Sequence, residues 1–485
     1  MENKIRTLYY GDNLEILRDK IADDTIDLCY IDPPFNSKRT YFQIYNNIPG
    51  KEDKAQMQAF IDTWKWNETA EAGFREIITN QNGRFTRQII ELIRGFESII
   101  GKGDLLAYLV SMSLRITEIY RVLKPTGSFY LHCDPTASHY LKLVLDAIFC
   151  GQKGEFRNEI IWSYRTGGVS KRWWPKKHDV IFYYTKSNKY LYKPQKERIY
   201  YETPFFTTEI DEEGRHYADV YIRDVWDIPA VINVSKERLN YPTQKPEALL
   251  ERIIEASSNP GDLVLDAYCG CGTTIAVAEK LGRNWIGIDI TYQSISVMLQ
   301  RLIDSFGESI TEKIIVDGIP QDLASARALA NRKDDYVRKE FEKWAVLTYS
   351  NNRAVINEKK GADKGIDGIV YFLTAKNETE RMIIQVKSGG VSRSTIATLK
   401  GDMERENAKL AVLITLEEPT KPMLEEAAAA GFYAHPLMQE NYSRIKIVTV
   451  RELIEENKRI EMPLSLSAIK DAPRNEEDPQ QKLFS

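Results

Sequence analysis

The sequence predicts an α/β protein: a largely parallel sheet covered on both faces, followed by a smaller second α/β domain. Three observations carry this. Strand-like apolar runs alternate with helical ones at both ends of the first 300 residues. A glycine turn, CGCGTT at 269–274, joins one such strand to the helix after it. The alternation then restarts near Asp334, after a turn-rich break. A length of 485 residues fits two to four domains, at about 150 residues each.

Taken in order, TLYYG, NLEILRDKI and IDLCYIDPP read as strand, helix and strand. The block from about 40 to 104 is polar and weakly periodic, and is expected as a helical insertion. Apolar residues recur at helical spacing from Leu105 to Leu123; KPTG then turns into the strand SFYLHCD, and ASHYLKLVLDAIF makes another helix. VIFYYT at 180–185 is a strand, whereas 199–240 is rich in loop signals. PEALLERIIEASS, LVLDAY, TTIAVAEKLG and WIGIDI complete a first domain over 1–330 as helix, strand, helix and strand. In the second domain, 334–461, Phe341, Trp344, Ala345, Thr348 and Tyr349 share one helical stripe. Strands GIDGIVYFL, RMIIQVKSG and AKLAVLITL follow, with helix PMLEEAAAAG behind them. Residues 462–485 have the composition of a disordered tail.

Bulk numbers narrow the function. The chain is 43% hydrophobic and 28% charged, and no apolar run approaches the roughly 18 residues of a membrane span, so no membrane partner is expected. The start MENKIRTLYYGDN is no secretion signal, and five cysteines without paired spacing point to a reducing, cytoplasmic setting. Five scattered histidines argue against structural zinc. A net charge of −4 means that any nucleic-acid surface must be local. One tract is local in that sense: Arg157–Arg198 holds eleven Lys/Arg against three Asp/Glu, interleaved with Trp162, Tyr164, Trp173, Trp174, Tyr183, Tyr184, Tyr190 and Tyr192. Cations neutralise phosphates and aromatic faces accept unstacked bases, although a solvated hairpin face would have the same composition.

LCYIDPPFN, at 28–36, ends a buried strand with an acid and two residues that cannot donate a backbone hydrogen bond. The pair makes a rigid rim at the strand's carboxyl end, where open α/β sheets place ligands. In the glycine turn, Gly270 and Gly272 allow close backbone approach, and the helix start behind them favours a negative group. Asp289 closes the next strand, 23 residues beyond Asp266, at the spacing where an acid takes ribose hydroxyls in nucleotide-binding folds.

These residues carry a resemblance. DPPF with the later DAYCGCGTT resembles the amino-group DNA methyltransferases that use S-adenosylmethionine, with the acid-Pro-Pro-aromatic motif first and the glycine turn last, as in the β-class. GDN at 11–13, RVLKPTGSFYLHCD at 121–134, KHDVIFYYTK at 177–186 and YPTQKP at 241–246 fit in the same order, so the resemblance spans nearly all of 1–300. It implies a Rossmann-like sheet in permuted order, acting on double-stranded DNA. Asp32 and the Pro33 carbonyl would accept hydrogen bonds from the target amine, Pro34 would stiffen the pair, and Phe35 would stack on the extruded base. Asp32, rather than a serine, points to adenine. Asp266, Gly270, Gly272 and Thr273 would border the methionine part of the cofactor, Asp289 its ribose and Asp12 its adenine, with Thr243 and Lys245 near the methionine carboxylate. The target-recognition region would lie at roughly 187–240. His132, Asp134 and His178 read as structural. A homodimer is left open.

The second domain resembles the Mrr-like branch of the PD-(D/E)xK nucleases over about 335–435. Period-two alternation in RMIIQVKSG puts Gln385 and Lys387 on one strand face and Ile384 and Val386 on the other. The resemblance implies Mg²⁺ held by Asp367 and Gln385, with Glu342 completing the acidic cluster and Lys387 polarising the attacking water. The whole would then be a modification enzyme with an attached nuclease, of restriction-modification or phage-defence type. The alternatives are an orphan N6-adenine or N4-cytosine methyltransferase whose carboxyl-terminal module only binds DNA, or a transferase acting on RNA or a protein amide.

Overall fold

The computed structural model describes residues 4–461 apart from 35–38, 46–54, 63–64, 166–169, 204–207, 233–234, 236, 240, 242, 321, 332–334, 352, 357–364, 376–377 and 437–440. Phe35 and the 462–485 tail lie outside the described residues. The chain forms two compact units, one of residues 1–40, 61–290 and 298–317, the other of 41–60, 291–297 and 318–485.

The first unit is built on nine strands: β1 (Arg6–Tyr10), β2 (Ile26–Ile31), β3 (Leu123–Cys133), β4 (Glu155–Ser163), β5 (His178–Thr185), β6 (Val225–Asp227), β7 (Leu263–Asp266), β8 (Asn284–Asp289) and β9 (Ile315–Asp317). They lie in the order β6-β4-β5-β3-β2-β7-β8-β1-β9. Every pairing is parallel except those of β5, which runs antiparallel to both β3 and β4. The chain leaves β2 toward β3 on one side and β7 toward β8 on the other, so strand order reverses between β2 and β7. A crevice opens at such a switch point, outside the strands' carboxyl ends. Asp32 follows β2, while Asp266 and Asp289 end β7 and β8; three acids therefore converge on one sheet edge.

The 40–104 block is helical only from Glu68. Residues Arg39–Tyr45 and Ala55–Asp62 are strands, paired as a two-stranded sheet. The helices Glu68–Thr79 and Arg87–Ile100 are no appendage, because Phe74, Ile77, Ile89, Ile93 and Phe96 enter the same core as Ile31, Phe129 and Leu265. The helix Arg87–Ile100 places Ile89, Ile93 and Phe96 at three- and four-residue spacing, which is one helical face. The loop-rich 199–240 stretch holds three further strands, Lys196–Tyr201, Glu209–Ile210 and His216–Tyr221, in an antiparallel sheet of their own. Among the described residues no helix is long and apolar enough to cross a membrane.

The second unit has a five-stranded sheet: β10 (Val355–Ile356), β11 (Gly368–Ala375), β12 (Glu378–Lys387), β13 (Leu410–Thr415) and β14 (Ile445–Thr449), in that spatial order. β12 is central, antiparallel to β11 and parallel to β13. Met382 to Val386 are therefore all buried, and Gln385 is as enclosed as Ile384. Burial of this run shows that both faces of the central strand are covered. The helix Asp335–Tyr349 buries Phe341, Trp344, Ala345 and Tyr349, the stripe expected from sequence.

Candidate active site

β2 delivers Asp32 to the edge, and Pro33 behind it is buried. Lys245 Nζ donates to Asp32 Oδ2 at 2.5 Å, an ion pair whose side chains are only 17% (Asp32) and 8% (Lys245) exposed. Asp32 Oδ1 is buried and has no hydrogen-bond partner among the described residues. A buried carboxylate oxygen without a partner costs free energy unless some donor completes it. One oxygen is thus fixed by a cation, and the other is enclosed without a partner among the described residues.

The glycine turn is built by conformation. Gly270 (φ +48°) and Gly272 (φ +73°) are left-handed, and a Cβ on Gly272 would come within 2.3 Å of Met298 Cγ. A Cβ on Gly270 would stand 3.3 Å from the Tyr241 ring. Gly270 N–H donates to Asp289 Oδ2 at 2.9 Å, so the turn and the end of β8 hold each other. Asp266, wholly enclosed, accepts from Tyr268 N–H at 3.0 Å. Burial pushes its carboxyl up to about 7, and the charges of Asp32 and Asp289 add to the shift against the hydrogen bonds from Thr274 and Tyr268.

The remaining expected residues fall into two groups. Asp12 caps the helix Asn13–Lys20 through Leu14 N–H at 2.7 Å and is paired with Arg115 at 2.8 Å. Its neighbour Asn13 donates to Ala267 O at 2.7 Å and accepts from Arg115 Nε, tying that corner to the end of β7. Thr273 is buried at the first turn of its helix; its hydroxyl donates to Lys245 O at 3.3 Å and accepts from Arg301 at 2.9 Å. Arg301 also holds Glu247 at 2.8 Å, stapling the YPTQKP segment to the glycine turn. Thr243 sits at φ +60°, a strained value for a β-branched residue. The structure thus brings Lys245 onto Asp32, a partner 213 residues away.

Sequence reasoning passed over Arg115, Arg301, Tyr30 and Asp179, and took His132 as structural without the buried chain it forms beside Asp32. Tyr30 OH meets His132 Nδ1 at 2.9 Å, His132 Nε2 meets Asp179 at 3.1 Å, and Tyr164 OH donates to Asp179 at 3.1 Å. Burial opposes ionisation of Asp179, but His132, the Lys245 charge and Tyr164 outweigh it and hold its carboxyl below the usual range. His132 and Asp179 stand within the blocks ending SFYLHCD and beginning KHDVIF, which is the signal that could have found them.

In the second unit Asp367 and Gln385 do come together. Asp367 N–H donates to Ile384 O at 2.9 Å, and Asp367 Oδ2 accepts from Val386 N–H at 2.7 Å. Gln385 Nε2 donates to Gly365 O, while its Oε1 is buried without a hydrogen-bond partner among the described residues. Glu342 is half-buried on its helix and Lys387 ends β12. Among the described residues no three His, Cys, Asp or Glu side chains group so as to hold a metal ion. Among the described residues a cation there would meet one carboxylate, one of whose oxygens already accepts from the backbone, and a neutral amide oxygen, a poor set for Mg²⁺.

Residues 26–300 match the model of the N6/N4 family described as DNA methylase. The chain is 30% identical over 306 residues to the DNA adenine methyltransferase YhdJ of Escherichia coli, covering 62% of this chain and 83% of that protein. It is 33% identical over 253 residues to the type II methyltransferase M.HpaI of Haemophilus parainfluenzae, covering 50% and 74%. Among solved structures, the PvuII cytosine-N4-specific DNA methyltransferase aligns at 17% identity over 64% of this chain and 92% of its own, with a TM-score of 0.39. Residues 337–455 match a family described as NACHT-associated inactive restriction endonuclease 1.

Proposed function

We propose, for a chain that belongs to the N6/N4 DNA methylase family, that it methylates N6 of an adenine flipped out of duplex DNA, with S-adenosylmethionine as donor. The observation that carries this reading is Asp32, held by Lys245 through one oxygen and keeping its other oxygen buried and unpartnered at the switch-point crevice. An exocyclic amine is a poor nucleophile because its lone pair is delocalised into the ring. Asp32 Oδ1 accepts one N–H and the Pro33 carbonyl the other, which favours a pyramidal nitrogen aimed at its electrophile. The proline pair keeps both acceptors in place before the substrate arrives. The amine reaches them only from a base taken out of the stack.

The cofactor fits the chemistry of the residues present: the left-handed Gly270 and Gly272 form a tight turn ahead of a helix start, and Gly270 N–H holds Asp289 so that the acids ending β7 and β8 stand beside it. Bound there, S-adenosylmethionine supplies a sulfonium methyl as the electrophile. Gly270, Gly272 and Thr273 would line its methionine part, Asp289 its ribose, and Asp12 its adenine. Lys245, engaged with Asp32, acts on the acid rather than as a primary carboxylate ligand.

For the second unit we infer DNA contact without cleavage. The neutral Gln385, and an Asp367 oxygen already bonded to Val386 N–H, support this over a Mg²⁺-dependent nuclease. The test of the main reading is incubation with duplex DNA and isotopically labelled donor, followed by hydrolysis to nucleosides. N6-methyladenine is expected from the unaltered protein and none from Asp32→Ala. N4-methylcytosine would overturn the adenine assignment, and label in RNA or protein but not in DNA would overturn the whole reading.

A further inference from the structure

Among the described tryptophans Trp162 is 3% exposed, Trp226 7%, Trp285 0% and Trp344 2%, and Trp66 is half-buried. Trp173 and Trp174 depart from this, at 67% and 94% exposed. An exposed Leu needs no explanation, but two adjacent indoles held in water are informative. They sit in the connection between β4 and β5, flanked by Lys171, Arg172, Lys176 and Lys177.

Residues 170–177 of this connection are held in shape. Ser170 Oγ accepts from both Arg172 N–H and Trp173 N–H at 3.2 Å, a turn that fixes the chain just ahead of the indoles. Pro175 follows them, and Tyr164 N–H donates to Lys177 O at 3.0 Å to close the base. It is also tied to the chemistry: β5 begins at the sheet edge where β3 ends, and Asp179 there binds both Tyr164 and His132. β5 and β2 are two strand positions apart, so the connection springs from the edge about 10 Å from Asp32.

Resting on the function proposed above, we propose that Trp173 and Trp174 are the wedge that enters the base stack as the target nucleotide leaves it. Trp174 inserts into the gap and stacks on the bases around it, with Trp173 against the groove wall. The four cations seat on flanking phosphates, so charge and aromatic area are complementary to a duplex rather than to a protein surface. The wedge thereby lowers the cost of holding the base in the pocket beside Asp32.

The experiment uses the full chain with Trp174→Ala and Trp174→Phe, substitutions at an exposed position outside any core. Its first readout, quenching of tryptophan emission on titration with duplex DNA, requires no transfer. Strong quenching is expected for the unaltered protein and a clearly smaller one in Trp174→Phe, where only Trp173 still meets the DNA. The second readout is kcat/KM on a fully paired duplex against one whose target base is left unpaired. Trp174→Ala should lose about 10- to 100-fold on the paired duplex, as expected for one stacking contact, recover on the unpaired one, and be partly rescued by Phe. Unchanged quenching in Trp174→Phe, or an equal loss on both duplexes, would overturn the wedge. Failure of the methyltransfer reading would look different: quenching intact and no methyl group transferred.

Discussion

At the carboxyl end of β2, a carboxylate is gripped by a lysine and has a second, buried oxygen without a partner among the described residues; beside β12, a carboxylate is gripped by a backbone N–H and has an amide for its neighbour. Both acids lie against central strands, and both were singled out by motif. They differ in what already satisfies them. Lys245 fixes one oxygen of Asp32 by a charge-assisted hydrogen bond and leaves the second without a partner among the described residues, which is what the proposed role asks of it. Asp367 braces the junction of β11 and β12, and Gln385 beside it adds no charge to attract a divalent cation. Motif singled out both acids; their partners differ, a cation for Asp32 and a backbone N–H for Asp367.

The comparison breaks outright if the second unit cuts. Supercoiled plasmid, methylated or not, should stay supercoiled with this protein in the presence or absence of Mg²⁺; cleavage that Lys387→Ala abolishes would restore the nuclease reading. A smaller effect sharpens the other side. Lys245→Gln should lower kcat about 10- to 100-fold, since a charge-assisted hydrogen bond contributes about 1.5–3 kcal/mol, while leaving cofactor affinity by calorimetry little changed. A variant that instead lost cofactor binding with kcat preserved would move Lys245 back to the methionine carboxylate.

Such a partnership was not legible beforehand. The strand end at Asp32 could be read because an apolar run stops at two prolines, and Asp289 because it follows the glycine turn at a fixed interval. Lys245 lies 213 residues from Asp32, and nothing local marks which acid it will meet. Arg115 and Arg301 are helix residues whose partners, Asp12 and Thr273, come from packing rather than sequence spacing. The 68–100 helices read as polar because their exposed faces dominate the composition, while their narrow apolar stripes close the main core. Alternation in β12 put Gln385 and Lys387 on one face, but strand sequence does not tell how many layers cover that face, and Gln385 is buried.

Two weaker effects probe the cradle. Gly272→Ala places a Cβ 2.3 Å from Met298 Cγ at φ +73°, so it should cost more than about 1 kcal/mol, lower Tm by a few degrees and weaken cofactor binding. Asp266→Asn tests the enclosed acid through pH. Its folded carboxyl titrates near 7, against about 4 unfolded, so the native state binds the extra proton between these values. Stability from this group is therefore present in acid and lost as pH rises from about 4 to 7. The variant, always neutral, should gain Tm relative to the unaltered protein as pH rises through that window; a constant difference across it would contradict the assignment.

The central claim is that the open oxygen of Asp32 accepts the target amine. Single-turnover methyl transfer to duplex DNA by Asp32→Asn, at saturating cofactor and DNA, tests it most directly. The account predicts a rate at least about 10²-fold below that of the unaltered protein, with cofactor and DNA affinities retained, as for loss of one preorganised transition-state contact. Transfer at the unaltered rate would contradict it.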